Sequence, residues 1–166
     1  VRTGMPILYE PPGDVGADRI VNGVAALAAY GGPVIVVDFG TATTFDVVTR
    51  KGEYVGGVIC PGIGISADAL FQRAARLPRV DVRNPGRVIG RSTVGSIQAG
   101  LYYGYAEMVQ GIIGRIRAEL GEPARAVATG GLAESLAPAI PAIEAVDPAL
   151  TLTGLRLIWE RNRKVP

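Results

Sequence analysis

The spacing of apolar residues along the chain changes character several times, and each change predicts an element. Residues 33–39, Pro-Val-Ile-Val-Val-Asp-Phe, carry an almost unbroken β-branched run that predicts a strand buried on both faces. It ends at Asp38, followed by Gly40, Thr41, Thr43 and Thr44, and the apolar pattern resumes at Phe45. The glycine and threonines are therefore expected in a tight turn between two strands. Residues 44–50 predict the second strand, 51–53 a hairpin turn and 54–60 a third strand, giving three consecutive antiparallel strands. Ahead of them, residues 5–9 read as a short extended segment and 11–14 as a turn. A helix opening at residues 16–19 follows, with Ile20, Val24 and Leu27 at helical spacing and Gly31-Gly32 at its end.

Beyond residue 60, Pro61-Gly62-Ile63-Gly64 breaks the sheet, and Ser66 is expected to cap a helix over 67–77 with Leu70, Ala74 and Leu77 inward. Residues 78–91 read as irregular, with a short extended piece at 80–82. The pattern is helical again from Ser92 to about residue 120, where Ile97, Leu101, Tyr105, Met108, Ile112 and Ile116 follow at three or four residues. Gly100 and Gly104 leave a flat face there, which either packs inside the chain or forms a subunit interface. A strand over 125–129, Gly130-Gly131, a helix from about Leu132, a strand over 142–146 and a helix over 150–161 complete the order. Leu152, Leu155, Ile158 and Trp159 are expected as the apolar face of that last helix. With no repeat, low-complexity tract or internal linker, the whole reads as one α/β domain.

Composition narrows the function classes. The 166 residues are 48% hydrophobic, enough for one core, and the net charge of +2 from 17 basic and 15 acidic residues gives no electrostatic case for nucleic acid or an anionic membrane. There is no histidine, which removes Ser-His-Asp and Cys-His catalysis and leaves carboxylates as general bases. Cys60 is the only cysteine, so intrachain disulfides and cysteine-cluster zinc sites are out, and with no basic neighbour it reads as a small buried residue. No stretch has the apolar length of a membrane span, and Val1-Arg2-Thr3-Gly4 does not read as a signal peptide, so cytoplasm is the expected location. The start inside what reads as a connection suggests a fragment.

Candidate chemistry gathers at the glycine-containing turns. An acidic group beside main-chain donors and hydroxyls suits a phosphate with its cation, Asp38 holding the metal or its water while small residues let the backbone approach the phosphate oxygens. Asp18 lies in the first turn of a helix, where it is either a dipole-stabilised capping residue or a general base. Arg19 beside it is either a solvated residue or a bidentate partner for a carboxylate. Gly62 and Gly64 either make the turn or admit a ligand. Gly130 and Gly131, between strand and helix, offer main chain to a phosphorylated group.

An antiparallel three-strand start with Asp-x-Gly-Thr at its first turn, followed by alternating helices and strands, resembles one lobe of the ribonuclease H-like fold of actin, Hsp70 and the sugar kinases. Six segments narrow the resemblance to the type III pantothenate kinases: Pro6-Ile7-Leu8-Tyr9; Gly16-Ala17-Asp18-Arg19; residues 38–46, Asp-Phe-Gly-Thr-Ala-Thr-Thr-Phe-Asp; residues 61–66, Pro-Gly-Ile-Gly-Ile-Ser; Ser92-Thr93 before Gln98-Ala99-Gly100; and residues 128–133, Ala-Thr-Gly-Gly-Leu-Ala. The resemblance implies ATP-dependent phosphorylation of pantothenate, the first step toward coenzyme A. Asp18 would take the proton from the attacking hydroxyl. Tyr9, Gly16, Ala17, Asp18, Arg19 and Thr93 would form the pantothenate pocket, Asp38 would hold the monovalent cation (K+ or NH4+), and Gly40, Thr41, Thr43, Gly130 and Gly131 would contact ATP with its Mg2+. It also implies a homodimer. The family has a first lobe with its own phosphate loop, not found here, so residues 1–166 are expected to be the second lobe alone, with 1–15 as the interlobe connection, inactive by itself. The alternatives are a non-catalytic accessory protein on the same fold and an actin-like ATPase lobe, against which the Gly-Ala-Asp-Arg segment argues.

Overall fold

The structure, a computed structural model, describes residues 1–74 and 76–163. Helix α1 (Ala17–Tyr30) is followed by strands β1 (Val34–Phe39), β2 (Ala42–Val48) and β3 (Tyr54–Pro61), then by helices α2 (Ile63–Arg73) and α3 (Thr93–Leu120). Strand β4 (Arg125–Thr129), helix α4 (Ala133–Leu136), strand β5 (Ala145–Val146) and helix α5 (Leu150–Arg163) complete it. The strands form one sheet in the order β3-β2-β1-β4-β5, with β2 antiparallel to β1 and β3, and β4 parallel to β1 and β5. Three antiparallel strands followed by alternating helices and strands is the order that the resemblance implies.

The alternation of side chains along β1 divides the core into two layers. Ile35, Val37 and Phe39 face α2, α3 and α4, where they meet Phe45, Ile63, Tyr102, Val109 and Leu136. Val34 and Val36 face α1 and α5, with Val48, Tyr54, Val24 and Leu150. Both faces are covered, which is why the strand reads as continuously apolar. Asp38 sits on the α1 face at the strand's carboxyl end. The N-terminal segment also belongs to this layer: Met5 and Val15 are buried in it, and Tyr54 exchanges backbone hydrogen bonds with Pro6 and Leu8.

Several boundaries differ from the sequence reading, each for a local reason. The turn after β1 holds only Gly40 and Thr41, and β2 starts at Ala42, because Gly40 N–H already bonds back to the Ala42 carbonyl at 3.1 Å. Helix α2 begins at Ile63 and not after Ser66. Gly62 precedes it with its N–H on the Thr41 carbonyl, and the Ser66 hydroxyl instead meets the Tyr105 hydroxyl on α3. Leu70 on α2 is exposed while Ile63 and Ala67 face the core. Helix α2 closes at Arg73, short of Leu77, and residue 75 lies outside the described residues. Ser92 does cap α3, its Oγ accepting the Gly95 N–H at 3.1 Å, and Gly121 ends it in the left-handed conformation. The buried α3 residues are Gln98, Ala99, Leu101, Tyr102, Ala106, Val109 and Ile113, and the rest of the expected stripe, Ile97, Tyr105, Met108, Ile112 and Ile116, packs half-buried against the same layer. On α5, Leu150, Gly154 and Ile158 face inward, and Leu152, Leu155 and Trp159 face out. Strand β5 is only two residues long, and residues 80–82 form no strand.

Candidate active site

Strand register places the polar side chains. Asp38 pairs with Thr44 and Val36 with Asp46, so Asp38, Thr44 and Asp46 project together on the α1 face of an otherwise apolar sheet. Phe39 pairs with Thr43, which sends Thr43 to the opposite face, where it is 1% exposed and its hydroxyl has no partner among the described residues. Thr43 therefore does not line the cleft, contrary to the expectation that it contacts a nucleotide. Gly40 and Thr41, at the tip, are exposed. Because β4 runs parallel to β1 with Thr129 beside Asp38, Gly130 follows directly next to the same tip. Gly130 has φ 92°, and a Cβ there would fall 2.5 Å from Asp38 Oδ1 and 2.7 Å from the Phe39 backbone. Only glycine lets the two turns come this close. Gly131 beside it is exposed with open space around it.

Helix α1 crosses this end of the sheet. Asp18 lies in its first turn and is exposed, and its Oδ1 accepts the Arg19 N–H at 2.9 Å. A Cβ on Gly16 would press on that same oxygen at 2.7 Å, so the glycine clears room for the carboxylate. Burial pushes the Asp38 carboxyl above the usual carboxylate range. A hydrogen bond from Asn22 pulls it back, and the charges of Asp18 and Asp46 raise it further. Asn22, one turn along α1 from Asp18, donates Nδ2 to Asp38 Oδ2 at 3.1 Å, which brings the mouth of the helix to the same end of the sheet as the strand tip. That end is an open face, and none of the principal cavities is lined by Asp18 or Asp38.

Arg19 is neither solvated nor freely swinging. Its Nε donates to Asp46 Oδ1 at 2.6 Å, and Asp46 is fully buried. Asp46 also accepts from the Tyr54 hydroxyl at 2.7 Å and from Thr44 Oγ1 at 3.1 Å. Burial raises the Asp46 carboxyl, while Tyr54, Arg19 and Thr44 all pull the other way by donating to the anion. Tyr54 in turn is held strongly protonated, first by burial and then by Asp46. Anchoring through Nε leaves the Nη1 and Nη2 fork of Arg19 without a hydrogen-bond partner among the described residues, the geometry that takes a carboxylate end-on. Tyr9 packs against Tyr54 with ring centroids 6.4 Å apart, which puts it in the same cluster.

Thr93 is not brought to this cluster. It opens α3, which packs in the layer on the other face of the sheet from α1. Four α3 glycines face open space among the described residues, since a Cβ at Gly100, Gly104, Gly111 or Gly114 would meet nothing within 4 Å. Among the described residues no group of three or more metal-ligating side chains comes together.

The sequence profile described as type III pantothenate kinase matches residues 1–115. The chain belongs to the type III pantothenate kinase family. Among curated members, it is 61% identical to the type III pantothenate kinase of Moorella thermoacetica over 98% of this chain and 64% of that protein. It is 62% identical to that of Myxococcus xanthus over 98% of this chain and 63% of that protein. The chain thus spans just under two thirds of the length of these pantothenate kinases and matches their C-terminal part. Among solved structures, a Baf family transcriptional activator from Campylobacter jejuni shares the fold, with a TM-score of 0.67 over 97% of this chain and 70% of that one at 21% identity.

Four residues of the site went unassigned in the sequence reading: Asn22, Asp46, Tyr54 and Thr151. Asp46 had a signal, since a carboxylate two residues after Thr44 interrupts the apolar alternation of β2 on the face of Asp38. Asn22 had a weaker one, four residues beyond Asp18 in an apolar stretch. Thr151 had none.

Proposed function

We propose that this chain is the second lobe of a two-lobed kinase that transfers the terminal phosphate of ATP to the hydroxyl of pantothenate. The observation that carries this reading is the convergence of Asp18 and Asp38 on one open face, in a chain of this family. Asp18 is the general base: exposed, held at a helix mouth and cleared by Gly16, it can accept the proton as the hydroxyl attacks. Tyr9, Gly16, Ala17 and Arg19 surround the substrate, with the Arg19 fork offered to the pantothenate carboxylate.

Asp38 fits a monovalent cation. Its carboxylate is desolvated, is bonded by one neutral amide and lies near two further carboxylates, so a positive charge there offsets both burial and like-charge repulsion. Asp38 would hold K+ or NH4+, which neutralises charge beside the transferring phosphate. With no cluster of ligating side chains among the described residues, Mg2+ is expected to arrive with the nucleotide and keep mostly phosphate and water ligands. The backbone of Gly40-Thr41 and Gly130-Gly131 offers approach to the phosphates, and positioning with charge neutralisation accounts for most of such catalysis.

The location of Thr93 on the other side of the sheet from α1, together with the open glycine face of α3, supports a homodimer in which Thr93 serves the partner's pocket. Cytoplasm is the location proposed for a biosynthetic kinase of this kind. The test is phosphorylation of pantothenate by the full-length gene product. Asp18→Asn should lower kcat by about 10² to 10⁴ while pantothenate affinity stays within about tenfold. Undiminished turnover in that variant would remove Asp18 as the base.

A further inference from the structure

Asp18 and Asn22 stand four residues apart on α1, so they share one face of the helix a single turn apart. Asn22 is 1% exposed, and both ends of its amide are used. Nδ2 donates to Asp38 Oδ2 at 3.1 Å, and Oδ1 accepts from Thr151 Oγ1 on α5 at 2.7 Å. The direction of this relay follows from chemistry. An ionised carboxylate only accepts, so the amide nitrogen must face Asp38, and the hydroxyl, which can do either, must donate to the amide oxygen. Close seating of α5 makes the last bond possible. Gly154 lies against the Val21 carbonyl, where a Cβ would fall 2.2 Å away, and Val21 immediately precedes Asn22.

We propose that Asn22 is a positioning residue that fixes the bearing of Asp18 relative to Asp38, and that Thr151 locks the Asn22 amide in the orientation this requires. The inference rests on the roles given above to the two carboxylates. Without the latch, α1 is free to tilt over the tip of β1, and the base moves relative to the phosphate end of the site. Phosphoryl transfer is sensitive to such displacement, a 1 Å error costing about 10²-fold in rate. Among the described residues the amide is the hydrogen-bond donor to Asp38, and being neutral it orients that carboxylate without competing with a cation for its charge.

Thr151→Val removes the hydroxyl at constant shape, and Thr151→Ser restores it. In the full-length gene product, read at a temperature where circular dichroism shows each variant folded, Thr151→Val should lower kcat about tenfold or more with the pantothenate KM within about twofold. Thr151→Ser should return kcat to within about twofold of the parent. A purely structural role for Thr151 would shift the melting temperature and leave the kcat of the folded protein alone. Equal kcat in Thr151→Val and the parent overturns the latch. Should Thr151→Val not fold, Asn22→Asp, isosteric but placing a carboxylate against Asp38, must depress kcat at least as far, and parental turnover overturns the latch equally. If the parent itself does not phosphorylate pantothenate, the kinase reading fails and the latch is judged by NMR on the 166-residue chain. The side-chain amide protons of Asn22 should exchange slowly in the parent and rapidly in Thr151→Val, and fast exchange in the parent overturns it.

Discussion

Asp38 and Asp46 project from the same face of adjacent strands and burial raises the carboxyl of each, but removing them has opposite consequences because only Asp46 is paired with a buried cation. Asp46 compensates a buried guanidinium: removing it strands Arg19 in a site that is almost closed to water. Asp46→Ala should therefore cost about 3–5 kcal/mol in a denaturant titration at neutral pH. Asp38 is burdened instead. Burial, and then the charges of Asp18 and Asp46, hold its carboxyl above the ordinary value. The folded protein thus keeps a proton that the unfolded chain has already released, and stability falls as pH rises from the ordinary carboxylate pKa of about 4 through the raised one. Asp38→Asn, whose side-chain oxygen can still accept from Asn22, removes that fall. The variant should be more stable than the parent at pH 7, with the difference closing below about pH 4. Superimposable stability profiles for the two proteins would mean that Asp38 is not desolvated as described.

At the scale of elements, legibility followed how strongly a local pattern was tied to the packing. The three antiparallel strands, the strand after the long helix and the cap at Ser92 were readable because β-branched runs and N-cap chemistry act locally. The inward face of α5 was not. Leu152, Leu155 and Trp159 form the most apolar stripe, but the helix turns Gly154 inward because only a residue without a side chain can approach the Val21 carbonyl. The start of α2 was misplaced for a similar reason: Ser66 is a good cap in isolation, but Gly62 is already bonded to the turn after β1. Glycines of the same chain therefore predict opposite outcomes. Gly114→Ala on the open side of α3 should stabilise the 166-residue chain, measured at a dilution where it is monomeric, by about 0.5–1 kcal/mol, since helix propensity improves and the new Cβ meets nothing within the chain. Gly154→Ala gains the same propensity but forces α5 off α1, and overpacking of about 1–3 kcal/mol or more outweighs it. Melting curves of the two variants should move in opposite directions. A rise for Gly154→Ala would show that α5 does not sit at this distance, and would take the Thr151 contact with it.

On the scale of the whole molecule, Asp18 and Asp38 lie at an open end of the sheet and α5 turns Leu152, Leu155 and Trp159 outward, with Trp159 57% exposed. Three large apolar side chains at i, i+3 and i+7 on one helix form a ridge of the kind that meets another folded surface. The relatives carry roughly a further third of chain beyond what this sequence matches, and a first lobe seated on this ridge would both cover it and close the cleft above Asp18 and Asp38. Trp159 reports on this directly, being the only tryptophan of the 166 residues. In the chain as it stands its indole should emit at the long wavelength of a hydrated ring and be quenched readily by iodide. The Arg163 guanidinium, 4.6 Å from the ring centroid, shields one face at most and attracts the quencher. In a full-length gene product that includes the additional third, emission from Trp159 should shift to shorter wavelength and iodide quenching should fall severalfold, with any tryptophan of the added segment replaced by phenylalanine. An unchanged spectrum would leave the ridge in solvent in both forms. A segment closing over Asp18 and Asp38 would then have to approach from the strand tips, without using α5.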